Sequence, residues 1–287
     1  MEIKIKNLTK IYKNKKVLDN VSLEIHNGVF GLLGENGAGK TTLMEIISTL
    51  LPFDDGEIEV AGLNVKKEPL KVCEILGYLP QKFDFFPKVT LEESFDYLCK
   101  LKGMNNSASR KQEINLRLQE VGLLSEQKKY IQELSGGMKQ RFGIAQALIG
   151  NPKIILIDEP TVGLDPHERI SFRNLITRIS RDKIILLSTH IVQDIASTCK
   201  NLMVLQKGKV NYLGSTIDLI NKVQGKVWLY NVLDDEIPHV DLFVSLQDKG
   251  SSIEIRYIAD SPLQGSISTE PTLEDAYIYI NRKELSI

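Results

Sequence analysis

The segment that most restricts the fold of this chain is a glycine-rich loop between an apolar run and a helical stretch. Residues 29–33 form an apolar run of the kind that makes a buried parallel strand. The loop Gly34-Glu35-Asn36-Gly37-Ala38-Gly39-Lys40-Thr41 follows and matches G-x-x-x-x-G-K-[ST], and residues 40–51 are then expected to form a helix. A glycine turn that only caps a helix is the alternative, but the complete strand–loop–helix order favours a phosphate-binding loop in an α/β fold.

The residues of this loop predict how nucleotide phosphates would be held. Lys40 is expected to pair with the β- and γ-phosphates, and Thr41 is expected to ligate Mg²⁺. Glycines allow the loop to wrap the phosphates, so that backbone N–H groups and the helix N-terminus stabilise the anion. The predicted phosphate-binding positions of the loop are Gly34, Asn36, Gly37, Ala38, Gly39, Lys40 and Thr41.

A second group of residues lies more than ninety positions further along the chain. It begins with Leu134-Ser135-Gly136-Gly137-Met138-Lys139-Gln140-Arg141, and an apolar strand at residues 154–157 then ends in Asp158-Glu159. Asp158 stands at the carboxyl end of a buried strand, where α/β sheets place ligand groups, so it is expected to hold Mg²⁺ through water. An Asp-Glu pair alone is weak evidence, but its spacing after Leu-Ser-Gly-Gly is specific. The combination resembles the signature and Walker B motifs of ATP-binding cassette (ABC) proteins.

This resemblance covers about residues 2–220 and implies a Mg²⁺-dependent ATPase. By resemblance, Glu159 is the general base that activates the attacking water, and His190 is the switch histidine that contacts the γ-phosphate. Gln81 resembles the Q-loop glutamine, which touches Mg²⁺ or the water, and Lys40 completes the predicted catalytic set. A single glutamine in a turn or histidine after a strand is ordinarily structural, so both assignments depend on the order of the motifs. The remaining histidines are assigned no role: His26, His167 and His239.

The resemblance also implies how the nucleotide is enclosed. Tyr12 resembles the aromatic residue that stacks on adenine, although a half-buried tyrosine at a strand end is the alternative. Thr42 resembles the position that reaches the α-phosphate. Ser135 and Gly137 would contact the γ-phosphate held by a second subunit, and Asp165 belongs to a D-loop that crosses the subunit interface. ATP would therefore close a dimer of two cassettes, expected to be a homodimer, around two nucleotides.

Hydrophobic periodicity predicts the organisation of the fold. Residues 1–220 are predicted to be an α/β P-loop NTPase cassette with a mostly parallel core sheet and an antiparallel β edge. About residues 82–150 change to a helical period and are expected to form an inserted helical lobe, with a loop at residues 105–107. Residues 202–205 and 209–212, joined by Lys207-Gly208, are predicted to form a hairpin. Residues 221–287 are predicted to form a small α+β appendage with strands at 227–232, 242–246 and 253–258 and a final amphipathic helix.

Composition excludes some function classes. The 287 residues include 36 Lys and Arg against 37 Asp and Glu, a net charge of -1, so there is no global basic field and no nucleic-acid partner is expected. The N-terminus lacks the apolar region of a signal peptide, and the apolar runs are far shorter than a membrane span. Cys73, Cys99 and Cys199 form no CxxC pair and are expected to be small buried hydrophobes in a reducing cytosol.

These features predict a peripheral ATPase subunit at the cytoplasmic face of the cell membrane, driving an integral membrane permease on a separate chain. Met138, the Gly163-Leu164-Asp165-Pro166 form of the D-loop and the tail at residues 271–277 resemble bacterial single-cassette exporters of drugs, peptides or ions. The aromatic residues of Phe83-Asp84-Phe85-Phe86-Pro87 would receive a helix of the permease or, equally, pack within the helical lobe.

Two other functions compete with the transporter interpretation. One is a soluble ABC ATPase that remodels a ribosome or another macromolecular complex, but relatives of that kind usually join two cassettes or split one with a coiled coil. The other is a regulator that binds ATP without turnover, which the intact Lys40, Asp158, Glu159 and His190 argue against.

Overall fold

The computed structural model describes residues 1–83, 85–232, 238–240, 242–250 and 252–281. Within these ranges the strands are β1 (Glu2–Tyr12), β2 (Lys15–His26), β3 (Gly28–Leu33), β4 (Asp55–Val60), β5 (Leu63–Asn64), β6 (Leu76–Leu79), β7 (Ile154–Asp158), β8 (Ile184–Thr189), β9 (Asn201–Gln206), β10 (Lys209–Ser215), β11 (Val227–Val232), β12 (Leu242–Asp248), β13 (Ile253–Ile258) and β14 (Ile267–Ser268). The α-helices of the same ranges are α1 (Lys40–Ile47), α2 (Pro69–Ile75), α3 (Leu91–Leu101), α4 (Ser107–Glu120), α5 (Gly136–Ala147), α6 (Pro166–Ile179), α7 (Val192–Thr198), α8 (Thr216–Asn221) and α9 (Leu273–Asn281).

The central sheet has the strand order β10-β9-β3-β8-β7-β6. The pairs between β3 and β9, β3 and β8, β8 and β7, and β7 and β6 are all parallel, and only the β9–β10 hairpin is antiparallel. Parallel strands covered on both faces read as continuous apolar runs, which is why β7 and β8 are buried throughout. The parallel core and the hairpin predicted from the sequence are confirmed, whereas β6 was not predicted as a strand.

Alternation along the central strands divides the interior into two apolar layers. Ile154 and Leu156 pack in one layer with α1 and the strands of the β2-β1-β4-β5 sheet. Ile155 and Ile157 point to the other face and join the core shared with α3 to α7. Because successive side chains of a strand point to opposite faces, one apolar strand can supply both layers. The carboxyl ends of β3, β7 and β8 therefore meet at one edge of a sheet held firmly from both sides.

Two secondary-structure predictions need correction at their ends. The helix expected over residues 40–51 ends at Ile47, because Thr49 adopts a left-handed conformation with φ 67° and the chain turns back. The loop expected at residues 105–107 ends earlier, since Asn106 caps α4 by accepting a hydrogen bond from the Ser109 N–H at 3.0 Å. The three helices α3, α4 and α5 lie within residues 82–150, which the sequence predicts to be a helical lobe.

The C-terminal strands and helix occur as the sequence predicts, in a sheet of order β12-β13-β11-β14 followed by α9. Arg256 on β13 donates two hydrogen bonds to the fully buried carboxylate of Asp275 on α9, at 2.8 and 2.6 Å. Leu273 and Ala276 join the same apolar cluster as Leu202 of the central sheet. The apolar core thus continues into this segment, and a division of the chain at residue 220 stays a prediction.

The expectation that all three cysteines are buried is wrong for one of them. Cys99 and Cys199 are buried, and burial raises the pKa of their thiols to about 11 and about 12 respectively. Cys73 is exposed on α2, where its sulfur lies 3.1 Å from Thr49 Oγ1. The apolar period of α2 is too short to assign faces from the sequence, so only the packing of this helix decides which side faces outward.

Candidate active site

The glycine-rich loop joins β3 to α1 and surrounds the side chain of Lys40. The Lys40 ammonium is buried and donates hydrogen bonds to the carbonyl oxygens of Gly34 at 2.7 Å and Glu35 at 3.1 Å. Gly39 has φ 108°, and a Cβ at this position would lie 2.8 Å from the carbonyl oxygen of Val17. Only glycine fits such a conformation and so close an approach, which explains the residue that the motif requires before the lysine.

A cavity of about 280 Å³ opens over the N-terminus of α1. Backbone N–H groups at a helix N-terminus favour an anion, and the buried lysine adds a positive charge. The residues that line it are Val17, Asn36, Gly37, Gly39, Lys40, Thr41, Thr42, Gln81 and Glu159. The structure therefore brings together loop residues, Gln81 and Glu159, which are far apart in the sequence. Val17 was not predicted, because an isolated valine in a strand has no chemical signature.

The rest of the loop faces a smaller cavity of about 180 Å³. Ala38 lines it, and Asn36 and Gly37 line both cavities. The other side of this smaller cavity is formed by residues of β9, of the β9–β10 turn and of α9: Leu205, Gln206, Lys207, Tyr277 and Asn281. Gly34 lies below the loop, where a Cβ would stand 2.4 Å from the carbonyl oxygen of Leu205. Its contribution to the site is its own carbonyl oxygen, which accepts the hydrogen bond from Lys40.

Asp158 ends β7 at the edge of this site. Its Oδ2 accepts a hydrogen bond from Thr41 Oγ1 at 2.7 Å, whereas its buried Oδ1 has no hydrogen-bond partner among the described residues. Burial raises the pKa of Asp158, against the opposing effect of the hydrogen bond from Thr41. An unsatisfied buried carboxylate oxygen is costly unless a cation or donor completes it. Oxygen atoms of this kind fit a hard cation such as Mg²⁺.

Glu159 follows Asp158 in the sequence, but its side chain contacts Lys40 and His190. Its backbone has φ 48°, an uncommon left-handed conformation for a residue with a side chain, and its N–H donates to the Ser188 carbonyl oxygen at 2.9 Å. Glu159 Oε2 lies 2.7 Å from Nδ1 of His190. Glu159 Oε1 lies 3.1 Å from Lys40 Nζ but makes no hydrogen bond. The carboxylate is thus held between a histidine and the lysine of the loop.

Besides Gly34, Ala38, Asp158 and His190, four further predicted residues lie outside the lining of the Lys40 cavity in this single chain. Tyr12 ends β1, is 43% exposed and has the Lys10 ammonium 5.1 Å from its ring centre. Ser135 is exposed and caps α5, where its Oγ accepts a hydrogen bond from the Met138 N–H at 3.2 Å. Gly137 lies in the first turn of α5 beside the carboxylate of Glu168. The fourth, Asp165, caps α6 by accepting a hydrogen bond from the Glu168 N–H at 2.8 Å.

Sequence comparison identifies ATP-binding proteins of ABC transporters as relatives of this chain. Residues 18–162 match the profile of a family described as ABC transporter. The linearmycin resistance ATP-binding protein LnrL of Bacillus subtilis is 31% identical over 225 residues, which cover 78% of this chain and 72% of that protein. An uncharacterised ABC transporter ATP-binding protein of Methanocaldococcus jannaschii is 32% identical over 263 residues, covering 89% of this chain and 95% of the relative.

Solved structures of ATP-binding cassettes have the same fold as this chain. A dimeric ATP-binding cassette in a post-hydrolysis state, bound to ADP and Pi, superimposes with a TM-score of 0.68 and 27% identity. The match covers 74% of this chain and 98% of that cassette. A structure described as the ATP-binding subunit of an ABC transporter also has a TM-score of 0.68, with 26% identity over 77% of this chain and 93% of the other. In the described part of this chain, no helix is long and apolar enough to span a bilayer.

Proposed function

Because this chain belongs to the ABC transporter family and its cassette is an ABC ATPase, we propose that it hydrolyses Mg²⁺-bound ATP to drive a separately encoded membrane permease. The proposed active form is a homodimer in which each cassette supplies contacts that the other lacks. The observation that carries the proposal is the convergence of Lys40, Thr41, Gln81 and Glu159 on one cavity. Loops, a buried strand end and a helix N-terminus meet there at the carboxyl edge of a parallel sheet, which is where such folds bind ligands.

Lys40 would bind the β- and γ-phosphates of ATP. Its ammonium lies among the carbonyl oxygens of Gly34 and Glu35 and 3.1 Å from Glu159 Oε1, so a phosphate group entering the loop would compete with these acceptors for the lysine. The backbone N–H groups of the loop and of the first turn of α1 add fixed partial charges of the right sign. Thr42 also lines the cavity and would reach the α-phosphate.

Thr41 and Asp158 would hold Mg²⁺, and Gln81, which lines the same cavity as Thr41, would touch the ion or the attacking water. The unpaired Oδ1 of Asp158 and the hydroxyl of Thr41 are oxygen ligands of the kind that Mg²⁺ prefers. When bound, the ion would neutralise charge on the phosphate oxygens. The Thr41 hydroxyl donates a hydrogen bond to Asp158 Oδ2 at 2.7 Å, so the two proposed ligands are in direct contact.

Glu159 would accept the proton of the attacking water, and His190 would fix the orientation of that carboxylate. The 2.7 Å contact between Glu159 Oε2 and His190 Nδ1 leaves the other carboxylate oxygen facing Lys40. That oxygen is buried and has no hydrogen-bond partner among the described residues, so it would accept one from water once a phosphate has drawn Lys40 away. His190 is partly exposed, and the same ring would also reach a γ-phosphate in the cavity.

A second cassette would supply the contacts that one chain lacks. Ser135 is exposed at the N-terminus of α5, and neither it nor Asp165 lines the cavity of its own chain. Dimeric cassettes among the structural neighbours support an assembly in which the signature segment of one subunit faces the nucleotide of the other. In the same assembly Tyr12, exposed at the end of β1, would stack on adenine.

An apolar groove on the helical lobe would receive the permease. It has a volume of about 660 Å³ and is lined by Phe85, Phe86, Pro87, Val89, Glu93, Ser94, Tyr97, Leu98 and Gln146. Of the aromatic residues at 83–86, one packs within the helical lobe and another is exposed beside the groove. Phe85 packs on Phe142 with ring centres 4.5 Å apart, whereas Phe86 is 71% exposed, and Asp84 lies outside the described residues. Exposed aromatic residues beside a groove are typical of protein interfaces.

Affinity purification from detergent-solubilised native membranes tests the transporter assignment. A multi-span membrane protein is expected to accompany the chain, and Phe86→Ala with Tyr97→Ala is expected to release it while ATP binding is retained. Leu70→Ala is the matched control, because Leu70 is 79% exposed on α2, outside the groove. Retention of the membrane protein by the double variant would refute the groove, and capture of ribosomes or another soluble complex would favour a remodelling ATPase.

Transport in the export direction is part of the proposal. The relative LnrL, whose name refers to linearmycin resistance, supports this direction. The location that follows is the cytoplasmic face of the cell membrane, where ATP is available and the permease can be reached.

A further inference from the structure

Asp194 is a buried carboxylate on α7 that lines neither of the cavities at the glycine-rich loop. Its Oδ1 accepts hydrogen bonds from Arg173 Nε at 3.1 Å and Arg173 Nη2 at 2.8 Å. Its Oδ2 accepts a short hydrogen bond from the hydroxyl of Thr161. A buried charge is tolerated only when it is paired and hydrogen-bonded, and both oxygens of this carboxylate are satisfied.

The three residues of this network belong to three segments that meet at the site. Thr161 lies two positions after Glu159, and Arg173 lies on α6. Asp194 lies on α7, which begins two positions after His190. The carboxylate therefore connects the chain that leaves Glu159 with the helix that follows His190.

The same carboxylate holds the first residue of the loop formed by residues 161–165 and the helix that follows this loop. Thr161 is its first residue, and α6, which carries Arg173, begins directly after it. Within the loop the Leu164 N–H donates to the Thr161 carbonyl oxygen at 3.2 Å, and Asp165 caps α6. The buried carboxylate thus fixes the first residue of the loop and, through Arg173, the helix that continues from it. The hydrogen bonds at Leu164 and Asp165 restrain the residues in between.

We infer that Asp194 is a positioning residue for ATP hydrolysis, which holds the loop of residues 161–165 in a fixed place relative to Glu159 and His190. The inference rests on the proposed function, in which Glu159 activates water and this loop faces the second cassette. Asp194 itself touches no reacting atom. Its loss would let the loop and α7 shift against each other, and a displacement of about 1 Å in a catalytic arrangement can cost on the order of 100-fold in rate.

Asp194→Asn tests the inference because it keeps the shape of the side chain and removes its charge. Thr161→Val removes only the hydroxyl that donates to Asp194, and Thr161→Ser retains a hydroxyl and should restore the contact. Asp275→Asn is the matched control. Asp275 is also buried and also accepts hydrogen bonds from an arginine Nε, an arginine Nη2 and a threonine hydroxyl, but on α9.

The measurements are kcat and KM for ATP, the Kd for ADP by calorimetry, and the Tm of each variant. We expect Asp194→Asn and Thr161→Val to lower kcat by about 10- to 100-fold while the Kd for ADP stays within about twofold, and Thr161→Ser to recover most of kcat. Asp275→Asn should lower Tm and leave kcat of the folded protein unchanged. Should Asp194→Asn fail to fold, the Thr161 pair decides the question alone.

A normal kcat in Asp194→Asn, or a loss of activity no larger than the folded fraction explains, would overturn the inference. So would an equal loss of kcat in Thr161→Val and Thr161→Ser. Glu159→Gln, measured in parallel, separates this failure from failure of the proposed function. If Glu159→Gln retains turnover, the assignment of the base is wrong whatever the Asp194 variants do.

Discussion

The Lys40 ammonium lies 3.1 Å from Oε1 of Glu159, so the lysine expected to bind phosphate is in contact with the expected catalytic base. Both side chains are at most 5% exposed. At such burial the attraction between opposite charges is stronger than in water. A nucleotide phosphate that binds Lys40 must therefore compete with Glu159, and its arrival would release one carboxylate oxygen toward the site of attack.

Glu159→Gln should nearly abolish ATP turnover while leaving nucleotide binding intact. The amide cannot accept a proton from water, so steady-state hydrolysis is expected to fall by at least about 100-fold. Removing the negative charge also removes the competitor for Lys40, so ATP should bind at least as tightly as in the wild type. Size-exclusion chromatography with ATP is expected to show an accumulated dimer. The exposed Glu24 provides the control variant Glu24→Gln, and near-normal hydrolysis by Glu159→Gln would remove this residue from the role of base.

Lys40→Ala should weaken nucleotide binding itself. The variant loses a charge-assisted contact with the phosphates, for which we expect at least about a tenfold increase in the Kd for ATP, or about 1.4 kcal/mol. Isothermal titration calorimetry measures this directly. Lys111→Ala, at an exposed position of α4, should bind ATP as the wild type does. An unchanged Kd in Lys40→Ala would contradict the assignment of the phosphate loop.

Gly77→Ala should destabilise the fold through a steric conflict in β6. A Cβ at Gly77 would lie 1.9 Å from the carbonyl oxygen of Ala147, the last residue of α5. Neither backbone can move without disturbing the core, so we expect a loss of at least about 2 kcal/mol in the free energy of unfolding. Urea denaturation measures it, with Gly136→Ala as the control because nothing lies within 4 Å of its added Cβ. Equal stability of the two variants would show that β6 does not pack against α5 as described.

The contribution of Asp275 to stability should depend on pH. Burial raises the pKa of Asp275, but hydrogen bonds from Arg256 and Thr272 outweigh it and hold the pKa below the ordinary value of 3.8. A lowered folded-state pKa stabilises the protein above the unfolded-state pKa, and this stabilisation disappears as the pH falls through the folded-state value. Asp275→Asn should therefore cost about 3 kcal/mol at pH 7 and progressively less below about pH 3.8.

Chemical denaturation of both proteins at pH 7, 5 and 3.5 measures this difference. The exposed Asp182 provides the control Asp182→Asn, which should change stability little at any of these values. A difference between wild type and Asp275→Asn that stays constant down to the lowest pH would contradict the assigned pKa direction.

Local sequence patterns are sufficient to identify many of the strands, helices and loops that build the site. The apolar run of β3, the glycines of the loop and the helix after Lys40 are adjacent in sequence, so turn chemistry and periodicity identify them together. The same holds for β7 ending in Asp158 and for the hairpin of β9 and β10. Short elements without a clear period were missed or misplaced, among them β6 and the exposed face of α2 that carries Cys73.

Only the tertiary structure decided which of these local features meet. The hydrogen bond from Thr41 to Asp158 spans 117 positions, and the contact between Glu159 and His190 spans 31. Both contacts follow from the strand order of the central sheet, which places β3, β8 and β7 side by side. Strand order is set by packing between elements far apart in the chain, and no local periodicity encodes it. The sequence therefore predicts the residue types of the site. The buried position of Asp194 and the contact between Lys40 and Glu159 are determined only by the tertiary structure.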